Sequence, residues 1–119
     1  MKDYDNFFLP SDNLNEAKNF YTKTLSLKIK FDFSEKGMVA FKVGEQEPAI
    51  ILKDINKFQQ MKPTIWFTVD DVKEKYGELK GKGIKFLSEP FQIQTGMAVE
   101  FEDSFGNRLG ITDYTAIKK

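Results

Sequence analysis

The second half of this chain lies over the first at one constant offset. Asn6 falls on Thr64, Phe8 on Trp66 and Leu9 on Phe67, a shift of 58 positions. The same shift places Asp12 on Asp70, Leu14 on Val72 and Glu16 on Glu74. Each half alone specifies a small sheet with one helix, too little to bury both faces of the sheet. Two halves together predict an α+β fold: two βαβββ modules forming a curved, eight-stranded mixed sheet, a cup with helices on its outer face. The expected modules are residues 1–58 and 59–119 of one domain, a length that suits a single core.

Local patterning supports that frame. Asp3 to Leu9 reads as a strand. Asn13 followed by Glu16 has capping-box spacing, and Leu14, Ala17, Phe20-Tyr21 and Thr24-Leu25 recur at helical spacing. Leu27, Ile29, Phe31 and Phe33 alternate with charged residues as in a half-buried strand. Met38 to Val43 and Ala49 to Lys53 complete the first half, and Asp54 to Lys62 connects it to the second. Thr64 to Val69 is a strand, Asp71 with Glu74 repeats the cap, and Val72, Tyr76 and Leu79 line a helix ending near Gly81 or Gly83. Strands are then expected over Ile84 to Leu87 and near Phe91 to Gln94.

Val99 to Asp113 reads as a hairpin turned by Gly106-Asn107. Val99, Phe101, Leu109 and Ile111 face a core, and Glu100, Glu102, Arg108 and Gly110 share the opposite face. By the same alternation Phe7, Leu9, Ile65, Phe67 and Val69 meet the helices. Asn6, Phe8, Thr64, Trp66 and Thr68 line the concave side.

Composition removes several chemistries. With no Cys and no His, thiol catalysis, disulfides and the commonest metal ligand and general base are absent. Eighteen basic and eighteen acidic residues give zero formal net charge, with no basic run suited to nucleic acid. No apolar run reaches the length of a membrane span and no signal-peptide layout opens the sequence, so a cytoplasmic protein is expected. No nucleophile elbow and no phosphate-binding glycine loop is present.

Three stretches, NLNEAKNFYTKTLSL, VDDVKEKYGELKGKGIKF and DSFGNRLGI, occur in an order that resembles the vicinal oxygen chelate superfamily. Its members include glyoxalase I, extradiol dioxygenases, fosfomycin-resistance enzymes and bleomycin-resistance proteins. The resemblance implies paired βαβββ modules around a cup, commonly completed by dimerisation. The last motif departs from the family, with Ser104 and Phe105 standing where Pro and an acidic residue are usual. Matched position by position, the family's metal ligands fall on Asn6, Thr64 and Gly110. A fourth, seen in some members, falls near Ile50 to Leu52. An amide, a hydroxyl and a bare backbone are a poor ligand set, so no metal and no other cofactor is expected.

What remains is a walled hollow of aromatic and acidic character. The reading is a non-catalytic small-molecule binding protein of the bleomycin-resistance type, a homodimer taking a flat or cationic organic ligand. The binding residues are Asn6, Phe8, Thr64, Trp66, Glu100, Glu102, Arg108 and Gly110, and no catalytic residue is assigned. The alternatives are a metal-independent enzyme using Glu100 or Glu102 as general base, a divergent glyoxalase-like metal-dependent lyase or dioxygenase, and a structural or regulatory domain whose cup is filled.

Overall fold

The structure, a computed structural model, describes residues 1–117. Eight strands hydrogen-bond in the spatial order β2-β3-β4-β1-β5-β8-β7-β6, some pairs parallel and some antiparallel. The chain forms two compact units: residues 6–63, and residues 1–5 together with the chain from Thr64 onward. Strand β1 (Asp3–Ser11) serves both.

In the unit of residues 6–63, β1 runs parallel to β4 (Ala49–Asp54). Next to β4 lie β3 (Met38–Lys42) and β2 (Lys28–Phe33), both antiparallel to their neighbours. Helix α1 (Leu14–Asn19) starts where the sequence places it, with the Asn13 side chain accepting from the Glu16 amide at 3.0 Å. The helix widens into a π turn over Phe20–Thr24, where the Thr22 hydroxyl donates to the Lys18 carbonyl and Tyr21 stacks on Phe41 with ring centroids 4.8 Å apart. Leu14, Ala17, Tyr21 and Leu9 pack on Val39, Phe41 and Leu52. The other sheet face is also apolar, with Ala40, Ala49 and Ile51 packed by Phe8, Phe31 and Met38.

In the other unit, β5 (Thr64–Thr68) is parallel to β8 (Arg108–Thr112). Antiparallel to β8 is β7 (Gly96–Glu102), followed by the short β6 (Phe91–Ile93). Helix α2 (Val72–Gly81) is capped by Asp71, which accepts from the Glu74 amide at 3.1 Å. Its core is Val69, Val72, Val99, Phe101 and Ile111, joined by Phe67, Tyr76 and Leu109, so Phe67 and Val69 meet the helix side as expected, as Leu9 does in the other unit. Ile65 is 40% exposed and is not among the residues packed on this core. Ile84 to Leu87 is not a strand. Only Phe86 bridges to Phe101, and the Leu87 amide donates to the Glu100 carbonyl, before Pro90 interrupts the pairing. No helix among the described residues is long and apolar enough to cross a membrane.

Beyond β8, Asp113 is 1% exposed. Its carboxylate accepts from the Val72 amide at the start of α2 (2.7 Å), the Met97 amide (2.9 Å) and the Thr115 hydroxyl (2.8 Å). Burial pushes this carboxyl up, but these donors outweigh it and hold its pKa below the usual carboxylate value. One side chain thus ties the start of a helix to two strands.

Candidate functional site

Register assembles six of the eight expected binding residues on one face of β5, β8 and β7. Side chains that are directly opposite across a ladder share a face. Thr64, Arg108 and Glu102 form one such row, and Trp66, Gly110 and Glu100 form the next. Thr64 is 4% exposed and Trp66 7%, while Glu100, Glu102 and Arg108 are half-buried. The opposite face of the same strands is the helix-covered core, which fixes these six outward from it.

Gly110 lets the indole of Trp66 lie across the middle strand. A Cβ on Gly110 would stand 2.5 Å from Trp66 Cε3, 2.6 Å from Cδ2 and 2.7 Å from Cζ3, closer than any real Cβ contact. The ring therefore occupies the place of the missing side chain, and the glycine is covered rather than left as a gap.

Charge on this face is asymmetric. Arg108 donates to Glu102 Oε2 from Nη2 at 3.2 Å and from Nε at 3.4 Å, a partly buried ion pair. Among the described residues no group pairs with the Glu100 carboxylate. Its neighbour across the ladder is Gly110, which has no side chain to offer.

Asn6 and Phe8 belong to the other unit. The Asn6 amide oxygen accepts from the Ala49 backbone at 2.9 Å. Phe8 stands in a row with Ile51, Ala40 and Phe31, and the Lys53 ammonium lies 4.5 Å from its ring centroid and 4.6 Å from that of Phe58. The Phe58 contact was not foreseeable, since Phe58 sits in a polar connector with no strand or helix pattern. Nor was the anchoring by Asp113; an Asp directly after a strand is the only signal, and a common one. The hairpin turn spans Asp103 to Asn107: only Gly106 takes positive φ (+85°), while Asn107 donates to the Asp103 carboxylate at 2.9 Å. At its tip Phe105 is 87% exposed and folds back on nothing.

The positions where the family carries a metal do not suit one here. The Asn6 oxygen is engaged by a backbone amide, Thr64 offers a hydroxyl, and the place of a side chain at 110 is filled by an indole. Ile51 and Leu52 are buried and apolar. No group of three or more His, Cys, Asp or Glu side chains converges among the described residues.

Comparison with known proteins agrees with this architecture. The family model of the Glyoxalase/Bleomycin resistance protein/Dioxygenase superfamily matches residues 4–111. The uncharacterized protein YetH of Bacillus subtilis (strain 168) is 32% identical over 102 residues, covering 81% of this chain and 85% of YetH. A hypothetical protein from Bacillus halodurans C-125 superposes with a TM-score of 0.75 at 20% identity, over 98% of this chain and 94% of that one. A variant of methylmalonyl-CoA epimerase from Streptomyces coelicolor, in complex with 2-nitronate-propionyl-CoA, gives 0.75 at 15% identity, over 100% and 99%. At such identities the structural likeness is one of fold.

Proposed function

Since this chain belongs to the glyoxalase/bleomycin resistance protein/dioxygenase superfamily, we propose that it binds a small organic molecule without turning it over, as the bleomycin-resistance branch does. The observation that carries this reading is the indole of Trp66 lying where a side chain at position 110 would project. An aromatic surface stands in place of a ligand atom, flanked in the next positions by Thr64, Arg108, Glu102 and Glu100. Apolar wall with a few placed polar groups is the usual make-up of a small-molecule site. The protein is read as a homodimer in solution, which would cover apolar side chains such as Phe105 and Ile65, exposed by 87% and 40%.

A second reading has its own support. Thr64 and Trp66 are 4% and 7% exposed, which favours a face closed by its own side chains and a structural or regulatory role. Trp66 is the single tryptophan, so its fluorescence tests both. A panel of flat organic compounds, neutral and charged, is titrated against the protein, and the bound compound is recovered after long incubation and weighed by mass spectrometry. Binding predicts a saturable change with at least one compound and an unchanged mass. No response across the panel at millimolar concentration would favour the closed face. A changed mass would instead make Glu100 a candidate general base.

A further inference from the structure

We infer that two copies of this chain join edge to edge through β6, antiparallel about a twofold axis at Gln92. This contact builds the homodimer read above, and rests on that reading but not on what the candidate face binds. Strand β6 ends the sheet on one side and β2 on the other. An edge strand offers unpaired amides and carbonyls to any strand it meets, and proteins ordinarily blunt it with charges or a bulge. Strand β2 carries both, with Lys28, Lys30 and Asp32 along it and a register shift between Ile29 and Phe31. Strand β6 carries neither. It opens the longest uncharged run of the chain, Phe91 to Val99, in a sequence that is 30% charged. Its side chains are nonetheless left uncovered, with Phe91 43% exposed and Ile93 37%.

The backbone fixes which groups of β6 point outward. Met97 stands opposite Gln92 and directs both its main-chain groups to the β8 side. Its amide donates to the Asp113 carboxylate at 2.9 Å, and its carbonyl accepts from the Asp113 amide at 3.1 Å. Gln92 and Met97 are therefore a non-hydrogen-bonded pair, and the Gln92 N–H and C=O point away from β7. In an antiparallel pairing centred there, the two copies of Gln92 exchange two hydrogen bonds, and Phe91 of each copy lies opposite Ile93 of the other. Four apolar side chains then meet on one face and two glutamine amides on the other, with no charge to desolvate. The pattern reads the same from either copy, as a twofold contact requires. A ladder of three residues is short, so Phe91 and Ile93 supply much of the contact.

Sedimentation velocity over a range of protein concentrations is expected to show a monomer–dimer equilibrium. Gln92→Pro removes only the outward N–H, which the β6–β7 ladder does not use, and should weaken dimerisation about tenfold or more. Phe91→Lys, which puts a charge on the edge, should do the same. Ile29→Lys, an exposed position on the opposite edge strand, should change it by less than about twofold. Circular dichroism melting verifies that all three variants are folded. The Gln92 amide should exchange with deuterated solvent about tenfold or more slowly in the wild-type dimer than in Phe91→Lys. If either β6 variant dimerises as tightly as the wild type, or the Gln92 amide exchanges equally fast in both proteins, the edge contact is overturned and the homodimer reading stands. A wild-type chain that stays monomeric up to millimolar concentration overturns both.

Discussion

Placing one methyl group on Gly110 tests the central packing arrangement of the candidate face. In Gly110→Ala the new Cβ would meet Trp66 Cε3 at 2.5 Å, where ordinary contact begins near 3.4 Å, so the indole must retreat by about 1 Å. Trp66 is 7% exposed and cannot swing freely, and overpacking of this kind costs about 1–3 kcal/mol. The substitution also stiffens the unfolded chain and suits a strand better than glycine, which returns about 0.5–1 kcal/mol. The net loss is then roughly 0.5–2 kcal/mol, a fall in Tm of several degrees, at about 3–6 °C per kcal/mol for a domain of this size. The assay is a double-mutant cycle by thermal and urea melting with Trp66→Leu, which keeps an apolar side chain but vacates the space over Gly110. In that background Gly110→Ala should be neutral or stabilising, giving a coupling of about 1–2 kcal/mol. Equal effects in both backgrounds would mean that the ring does not rest on the glycine, and would refute the steric argument against a side chain at 110. Gly110→Glu, which puts a longer side chain into the same space, should be worse than Gly110→Ala in the native background.

Further outcomes follow from the helix-anchoring contacts. Asp113→Asn should destabilise by about 2–4 kcal/mol at neutral pH, because buried amides of Val72 and Met97 lose a charged acceptor. The folded-state pKa of Asp113 lies below its unfolded value, so its contribution is full above the unfolded pKa and lost as pH falls through the folded one. Urea melts should accordingly show the wild-type advantage over Asp113→Asn shrinking only below about pH 4. Gly96→Ala should lower Tm by several degrees, since a Cβ there would stand 2.6 Å from the Asp113 carbonyl oxygen. Asp71→Ala should cost about 0.5–2 kcal/mol by urea melting through loss of the cap on α2, and Asn13→Ala a similar amount for α1.

The fold was largely legible because its signals are local and repeated. Both caps sit at the predicted residues, and the alternation of Val99, Phe101, Leu109 and Ile111 against Glu100, Glu102, Arg108 and Gly110 matches the observed register. Ile84 to Leu87 was misread because an apolar run has the same appearance whether a neighbour pairs with it or merely packs on it. Ile65 lies on the expected side of the sheet yet is 40% exposed, since alternation fixes which side a residue faces and not how deeply it is covered. On the candidate face, the grouping of Trp66 with Gly110 followed from strand order. That the ring would fill the glycine's space did not, since it depends on a rotamer rather than on spacing. The pairing of Arg108 with Glu102 rather than Glu100 likewise reflects which residue stands directly opposite in the ladder, a one-step choice that pattern alone leaves open.

Strand β1 changes allegiance midway, its residues up to Asp5 grouping with the chain after Thr64 and its residues from Asn6 with the first half. The Lys2 amide donates to the Thr68 carbonyl, Tyr4 stacks on Phe67, and the Tyr114 hydroxyl donates to Asp5. The duplication visible in the sequence therefore has no matching seam at which the polypeptide could be cut. A fragment starting at Thr64 would keep β8 beside its leading strand but lose the contacts made by residues 1–5, and one stopping at Pro63 would carry five residues whose companions had been discarded. Neither sequence half therefore holds all the residues of its own compact unit.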